Sequence, residues 1–177
     1  MTDAVILVEG DSDMLALEAL ALKAGRDLTT EGIDIVAMGG ASRLGEHLVR
    51  LLPDVTIAGL YDFAETDEVR RGLATMGLMT DDLEGLGFYV CVEDLEDELI
   101  RALGVEAALE VVNRQGDAGK LRRMMSQPHW RDRPPEAQLR RWIGAGSGRK
   151  LRYARAFVEA LELDRVPSPL RGVLDSV

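Results

Sequence analysis

The segment Ala4-Val-Ile-Leu-Val-Glu9-Gly10-Asp11-Ser12-Asp13 decides how the chain folds. Its first five residues form an apolar run typical of a buried strand, and Glu9-Gly10 ends that run. Apolar residues then recur at helical spacing between Leu15 and Leu22, so we expect Ser12 or Asp13 to cap a helix. A buried strand followed by a turn and a helix is the opening unit of an α/β fold.

The same alternation continues through residue 104. Apolar runs at residues 33–37, 55–61 and 88–92 predict three more strands, with helical patterns between them, including one at 44–52. Strands separated by helices predict right-handed crossovers and a mostly parallel sheet. From Val105 onward the patterns are helical only. We therefore expect an α/β fold, with a Rossmann-like parallel sheet flanked by helices over residues 1–104 and an all-helical extension packed on it over residues 105–177.

Length and composition limit the class of protein. The 177 residues, 46% hydrophobic and 29% charged, suit one globular domain. The apolar stretches are shorter than the ~20 residues of a membrane helix, and no basic leader opens the chain, so we expect a cytoplasmic protein without membrane contact. The single cysteine, Cys91, allows neither an internal disulfide nor a cysteine cluster for zinc. Any metal would therefore be bound by carboxylates.

Charge is distributed unevenly along the chain, whose net charge is -10. Residues 54–98, the acidic segment, contain 13 acidic and two basic residues. Residues 114–155, the basic segment, contain 12 basic and three acidic residues. The two segments either pair with each other or form ordinary solvated surfaces. Alternatively, the acidic segment binds divalent cations beside a basic surface for a phosphate backbone.

Several acidic residues follow predicted strands directly. Glu9 ends the first strand, Asp62 ends the third, and residues 93–97 follow the fourth. Ligands of parallel sheets bind at these carboxyl ends, where neighbouring carboxylates would repel each other unless a cation lay between them. Asp11, Asp13 and Glu93 also suit a second interpretation, as helix-capping residues.

These motifs resemble the TOPRIM domain. The resemblance rests on the run 5–13 with its following helix, on a strand that ends in Gly39-Gly40, and on a strand that ends in Asp62. Topoisomerases, bacterial primases, recombination-repair proteins and the OLD (overcoming lysogenization defect) nucleases share this fold. The OLD branch is the most similar, because Asp13 lies four positions after Glu9, Asp-Leu-Glu-Asp occupies 94–97, and Lys150 opens a late helix.

The resemblance implies a role for individual residues. Glu9 would be a metal ligand or the acid/base of phosphoryl transfer, and Lys150 would stabilise the phosphate in the transition state. Asp13, Asp62 and the later Glu96 would be metal ligands. The implied cofactor is Mg²⁺ or Mn²⁺.

Two features depart from the family pattern. The usual Asp-x-Asp motif reads Asp62-Phe63-Ala64, so the second aspartate is absent and Glu65, one residue later, is the alternative ligand. OLD proteins also carry an ATPase domain ahead of TOPRIM, whereas this chain contains no phosphate-binding loop of the Gly-x-x-x-x-Gly-Lys-Ser/Thr type. We therefore expect a TOPRIM domain that stands alone and does not hydrolyse ATP by that route.

The expected function is divalent-metal-dependent phosphoryl transfer by an OLD-like DNA endonuclease or nickase. DNA, or another nucleic acid, would be bound by five basic residues, which are Arg140, Arg141, Arg149, Lys150 and Arg152. The main alternative is a catalytically weakened module that binds nucleic acid or a protein partner and serves a separately encoded ATPase. Primase-like nucleotidyl transfer is a third interpretation.

Overall fold

The protein has a four-stranded, all-parallel sheet. The computed structural model describes residues 2–51, 55–146 and 148–177. The strands are β1 (Ala4–Val8), β2 (Ile33–Ala37), β3 (Thr56–Asp62) and β4 (Phe88–Cys91), in the order β2-β1-β3-β4. In the central pair, Val8 of β1 is opposite Leu60 of β3. The carboxyl ends of β1 and β3 therefore lie side by side.

Nine α-helices flank the sheet in the described part of the chain, joined by short 3₁₀ turns. They are α1 (Asp11–Lys23), α2 (Leu44–Arg50), α3 (Thr66–Ala74), α4 (Leu95–Leu103), α5 (Val105–Arg114), α6 (Ala118–Met125), α7 (Pro135–Gly144), α8 (Arg149–Ala160) and α9 (Ser168–Asp175). No helix in the described ranges is long and apolar enough to cross a membrane. The expected α/β architecture is confirmed.

The sequence patterns located most elements closely but missed some ends. The first and second strands have the predicted bounds. The N-cap position expected at Ser12 or Asp13 is wrong, because Gly10 occupies it and α1 begins at Asp11. Helix α4 begins at Leu95, with Asp94 as its cap. The end of the predicted helix at Leu52, Asp54 of the acidic segment, and Ser147 lie outside the described residues.

Alternating side chains of the strands build two apolar layers. Ile6, Val8 and Leu60 face one layer, which contains α1, α4 and α8. Val5 and Leu7 face the other layer, against α2 and α3. A strand whose two faces are both buried must be apolar throughout, which is why the run 4–8 shows no alternation of polar residues.

The helices after residue 104 pack directly against the sheet and its helices. Helix α8 lies against α1 and α4, and α9 lies against β3 and β4. Tyr153 and Phe157 of α8 are fully buried in the same apolar cluster as Ile6 and Val8. The division of the chain at residue 104 stays a prediction.

Close packing between β3 and β4 makes Gly59 sensitive to substitution. A Cβ atom at Gly59 would lie 2.5 Å from Cδ1 of Phe88, its partner on β4, and Phe88 is only 4% exposed. We expect Gly59→Ala to lower the free energy of unfolding by about 1–3 kcal/mol, as overpacking does in other cores. Urea denaturation measures this change.

The matched control is Gly119→Ala in helix α6, where a Cβ atom would meet nothing within 4 Å. This variant should be neutral or more stable by about 0.5–1 kcal/mol, because alanine favours a helix over glycine. Equal stability of the two variants would show that Phe88 can move away and that the β3–β4 contact is loose.

Candidate active site

The first two acidic residues of the candidate site lie at neighbouring strand ends. Glu9 directly follows β1, and Asp62 is the last residue of β3. Asp62 is opposite Cys91 and points to the same side of the sheet as Leu60 and Val8, because alternate residues of a strand share a face. That side faces α1 and α4. The prediction that Glu9 and Asp62 lie at one sheet edge is therefore consistent with the strand order.

The backbone at Glu9 is fixed by the Gly39-Gly40 turn. The N–H groups of Gly39 and Gly40 both donate to the carbonyl oxygen of Glu9, each at 3.0 Å. The two glycines have φ values of +74° and +121°, which other L-residues rarely adopt. The Gly39-Gly40 turn follows the neighbouring strand β2. It therefore holds the end of β1 in place beside β2.

Asp13 lies in the first turn of α1 and faces the same edge. Its carboxylate accepts a hydrogen bond of 2.9 Å from the backbone N–H of Gly10. The helix-capping interpretation of this residue is thus partly correct, because Asp13 satisfies a free N–H at the start of α1. The charge of Asp13 also acts on Asp62, and that of Glu9 acts on Asp13, so the three carboxylates lie near one another.

Helix α4 supplies further carboxylates, each paired with a cation from the basic segment. Lys150 Nζ lies 3.2 Å from Glu96 Oε2, and Arg140 Nε lies 2.7 Å from Asp94 Oδ2. Arg140 also contacts Glu93, at 3.1 Å. The acidic and basic segments therefore pair with each other at this edge, as the first of the two charge interpretations expects.

Burial and mutual repulsion disfavour the charged form of the carboxylates. Burial, reinforced by Asp13 and Glu9, raises the pKa of Asp62 to about 8. Burial also raises the pKa of Asp13 to about 6, against the hydrogen bond from Gly10 and with the help of Glu96 and Glu9. The pKa of Glu9 is raised by burial and then by the charge of Glu65. Glu9, Asp13, Asp62 and Glu96 thus interact electrostatically, and we refer to these four as the carboxylate cluster.

Glu65 is oriented toward this cluster, whereas Ala64 is not. The two residues belong to the 3₁₀ turn Phe63–Glu65 that follows β3. Glu65 is half-buried and its charge acts on Glu9, while Ala64 is exposed to solvent. The carboxylate one residue later in sequence is therefore the one close enough to act on Glu9.

Two carboxylate oxygens of the cluster are buried without a hydrogen-bond partner. They are Oε2 of Glu9 and Oε1 of Glu96, and Glu96 is only 4% exposed. A buried oxygen without a donor is costly, and a divalent cation would satisfy it. The donor set consists of hard oxygen ligands that suit Mg²⁺ or Mn²⁺. Within residues 2–51, 55–146 and 148–177, no three His, Cys, Asp or Glu side chains already form a metal-binding group.

Lys150 keeps its positive charge at this position. Burial opposes the charged ammonium, but the charge of Glu96 and its hydrogen bond outweigh burial and raise the pKa of Lys150. The ammonium group is half-exposed and so remains accessible from the groove described next.

A groove of about 530 Å³ extends from the cluster along α7. Acidic and basic side chains both line it, including Asp94, Glu96, Arg133, Arg140, Arg141 and Lys150. Arg133 was not among the predicted nucleic-acid contacts, and Asp94 was not among the predicted ligands. Asp94 had a sequence signal, its position directly after the fourth strand, whereas the loop that carries Arg133 had none.

The five predicted nucleic-acid contacts divide into two groups. Arg140, Arg141 and Lys150 line the groove. Arg149 lies over the ring of Trp142, 4.4 Å from its centroid, and Arg152 is paired with the buried Asp117. Arg149 and Arg152 thus contribute to packing of the helical part and lie outside the groove that leads to the carboxylates.

A parallel sheet with acidic residues at adjacent strand ends, a glycine turn beside the first, and a lysine on a later helix are the features on which the resemblance to TOPRIM domains rests. TOPRIM domains in general bind divalent metals. Residues 1–58 match the family model for the overcoming lysogenization defect protein-like TOPRIM domain. This match, over about the first third of the chain, confirms the resemblance to the OLD type.

Solved structures confirm the fold over nearly the whole chain. The C-terminal region of the Burkholderia pseudomallei OLD protein superposes with a TM-score of 0.72 at 20% identity, covering 99% of this chain and 97% of that one. The C-terminal region of the Xanthomonas campestris pv. campestris OLD protein gives 0.74 at 24% identity, with 99% and 92% coverage. Curated protein sequences show no significant match to the chain.

The raised pKa of Asp62 predicts how its neutral variant behaves without metal. The folded-state pKa of about 8 lies above the ~3.9 of a free aspartate, so the folded protein binds this proton more tightly than the unfolded chain. The resulting stabilisation is complete below pH ~4 and is lost as the pH rises through about 8. In EDTA, Asp62→Asn should therefore raise Tm by about 2–6 °C at pH 9 and much less at pH 5.

The exposed Asp3 provides the control for this experiment. Asp3→Asn should shift Tm by the same small amount at both pH values, as measured by differential scanning calorimetry. If Asp62→Asn also gave equal shifts at pH 5 and pH 9, the carboxylates would not repel each other at this edge.

Proposed function

We propose that the protein is a divalent-metal-dependent phosphodiester hydrolase that nicks or cleaves DNA, as an OLD-like nuclease. The observation that carries the proposal is the pair of buried, unpartnered oxygens of Glu9 and Glu96 beside the desolvated Asp13 and Asp62. A purely structural role does not explain carboxylates that are buried together at the cost of mutual repulsion.

Glu9, Asp13, Asp62 and Glu96 would bind Mg²⁺ or Mn²⁺, with Glu65 as a further ligand. When bound, the cation supplies a water of lowered pKa and polarises the phosphodiester. These side chains come from the ends of two strands, β1 and β3, and from two helices, α1 and α4, whose packing in one fold supports the proposal. Binding would also offset the repulsion that raises the pKa of Glu9 and Asp62.

Glu9 and Lys150 have the chemical properties that phosphodiester cleavage requires. Glu9 has a raised pKa and a free buried oxygen, which suit a residue that accepts and returns a proton. Lys150 is charged and half-exposed beside Glu96, so its ammonium is available to a non-bridging phosphate oxygen. A fixed positive charge there would stabilise the charge that develops in the transition state.

The groove along α7 would bind the strand. Arg133 and Arg141 are exposed in it, and Arg140 and Lys150 lie where the groove reaches the carboxylates. Phosphate contacts of this kind position the backbone without reading sequence. We therefore expect binding to weaken steeply as salt concentration rises.

Divalent cations should stabilise the folded protein measurably. A cation present at about ten times its dissociation constant adds ~1.4 kcal/mol, which corresponds to roughly 3–6 °C in Tm for a chain of this length. Asp62→Asn should reduce this response, and Asp3→Asn should not. Absence of any shift in wild type with millimolar Mg²⁺ or Mn²⁺, together with absence of calorimetric binding, would contradict the shared metal site.

Glu9→Gln should separate catalysis from folding. The substitution preserves shape and removes the charge, so Tm and DNA affinity should stay near wild type while metal-dependent plasmid nicking falls at least ~100-fold. Glu110→Gln, an exposed acid on α5, is the matched control and should keep wild-type activity. Nicking that persists in EDTA or in Glu9→Gln would show that the activity comes from elsewhere.

The second candidate is a catalytically weakened module that binds nucleic acid or a partner and serves a separate ATPase. Ala64 favours it, because the second aspartate of the family motif is missing there. If wild type does not nick and Ala64→Asp gains nicking, the weakened site is supported. If wild type nicks and Glu65→Gln abolishes nicking, Glu65 replaces the missing aspartate and the first proposal is supported.

A further inference from the structure

Trp130 lies at a fixed position between α6 and α7. Its carbonyl oxygen accepts a hydrogen bond of 2.6 Å from Nε2 of Gln138, a side chain that is 4% exposed. The backbone N–H group of Trp130 donates to the backbone carbonyl of Gln127 at 2.9 Å. His129 packs edge-on against the indole, with 5.2 Å between ring centroids. The half-buried ring is thus presented by an anchored backbone.

A second groove lies on the other side of this ring. It measures about 500 Å³ and is lined by cations and aromatic rings, among them Lys120, Arg123, Arg141, Arg149, Trp130 and Trp142. None of the described residues that line it is acidic. Trp130 and Arg141 also line the first groove, so the two grooves meet at these residues. A continuous basic surface therefore leads from α6 past Trp130 to the carboxylate cluster.

The charges around Trp130 are available to a ligand. Arg123, Arg133 and Arg141 are exposed, and none of them contacts a carboxylate among the described residues. The guanidinium carbon of Arg141 lies 5.9 Å from the centroid of the Trp130 ring. An aromatic face flanked by free guanidinium groups matches one nucleobase and its neighbouring phosphates.

We propose that Trp130 and Arg141 form a subsite that stacks one unpaired nucleobase and binds its phosphate, outside the carboxylate cluster. A base within a duplex is covered on both faces by its neighbours, so only an unpaired base can use the indole. The subsite would thus favour strands with single-stranded segments. The inference rests on the proposed function for what happens at the cluster, although its test requires binding alone.

Tryptophan fluorescence can report stacking at Trp130 directly. The chain has two tryptophans, and Trp142 is 2% exposed. In Trp142→Phe, Trp130 is the only source of indole emission, which a 12-nucleotide oligothymidylate in EDTA should quench. A blunt duplex of equal length should quench it much less. Trp130→Phe, the matched variant that emits only from Trp142, should show no quenching by either ligand.

Affinity provides the second measurement. By fluorescence anisotropy in EDTA, Trp130→Ala should weaken binding of the labelled single strand by ~10-fold or more, whereas Trp130→Phe should retain most of it. Affinity for the duplex should change by less than twofold in both variants. Oligothymidylate and oligouridylate are tested in parallel, because both present an unpaired base. A loss of affinity for either one in Trp130→Ala supports the subsite.

Some outcomes overturn the subsite. One is Trp130 emission that neither the single strand nor the duplex quenches. The other is an equal loss of affinity for the single strand and for the duplex in Trp130→Ala. Neither measurement needs metal or turnover, so such a result would leave the hydrolase proposal intact. Conversely, a protein that binds through Trp130 but never nicks DNA would overturn the hydrolase proposal and leave the subsite standing.

Discussion

The parallel pairing of β1 with β3 brings like charges together at one edge of the sheet. Because parallel strands end on the same side, Glu9 and Asp62 cannot be separated without changing the strand order. Helix α1 adds Asp13, and α4 adds Glu96 and Asp94. The fold therefore has to tolerate a concentration of carboxylates in a partly desolvated position, and the rest of the structure reflects how it does so.

The basic helices supply part of the compensation. Arg140 of α7 pairs with Asp94, and Lys150 of α8 pairs with Glu96, across 46 and 54 residues of sequence. These contacts offset part of the negative charge of Asp94 and Glu96, while Glu9, Asp13 and Asp62 keep raised pKa values. Among the described residues, Asp94 and Glu96 are therefore paired with basic side chains, and three inner carboxylates, Glu9, Asp13 and Asp62, have no such pair. One structure thus accommodates both interpretations of the charged segments, because some of the carboxylates pair with basic side chains and others do not.

Local patterns predicted the strands well because both faces of the sheet are buried. A five-residue apolar run such as 4–8 is typical of a central strand, and the acidic residues that follow such runs mark the ends of the strands. The pairing of Arg140 with Asp94 could not be predicted, because it depends on how α7 packs against α4. The position of Trp130 between two grooves likewise depends on tertiary contacts, above all the hydrogen bond from Gln138. Sequence spacing thus located the inner carboxylates, and only packing located the cations and the ring.

The segment after β3 shows why a sequence motif can be absent while its geometry is retained. In an extended strand, residues two apart share a face, which would place residue 64 beside Asp62. Here the chain turns into a 3₁₀ helix at Phe63, and in that conformation residues three apart lie above one another. Glu65 therefore follows Asp62 on the inner side, and Ala64 points to solvent. The charge of Glu65 acts from this turn on Glu9 and raises its pKa, after burial, which is the larger cause. The spacing of carboxylates in the folded protein is thus set by the local backbone conformation as much as by the order of residues.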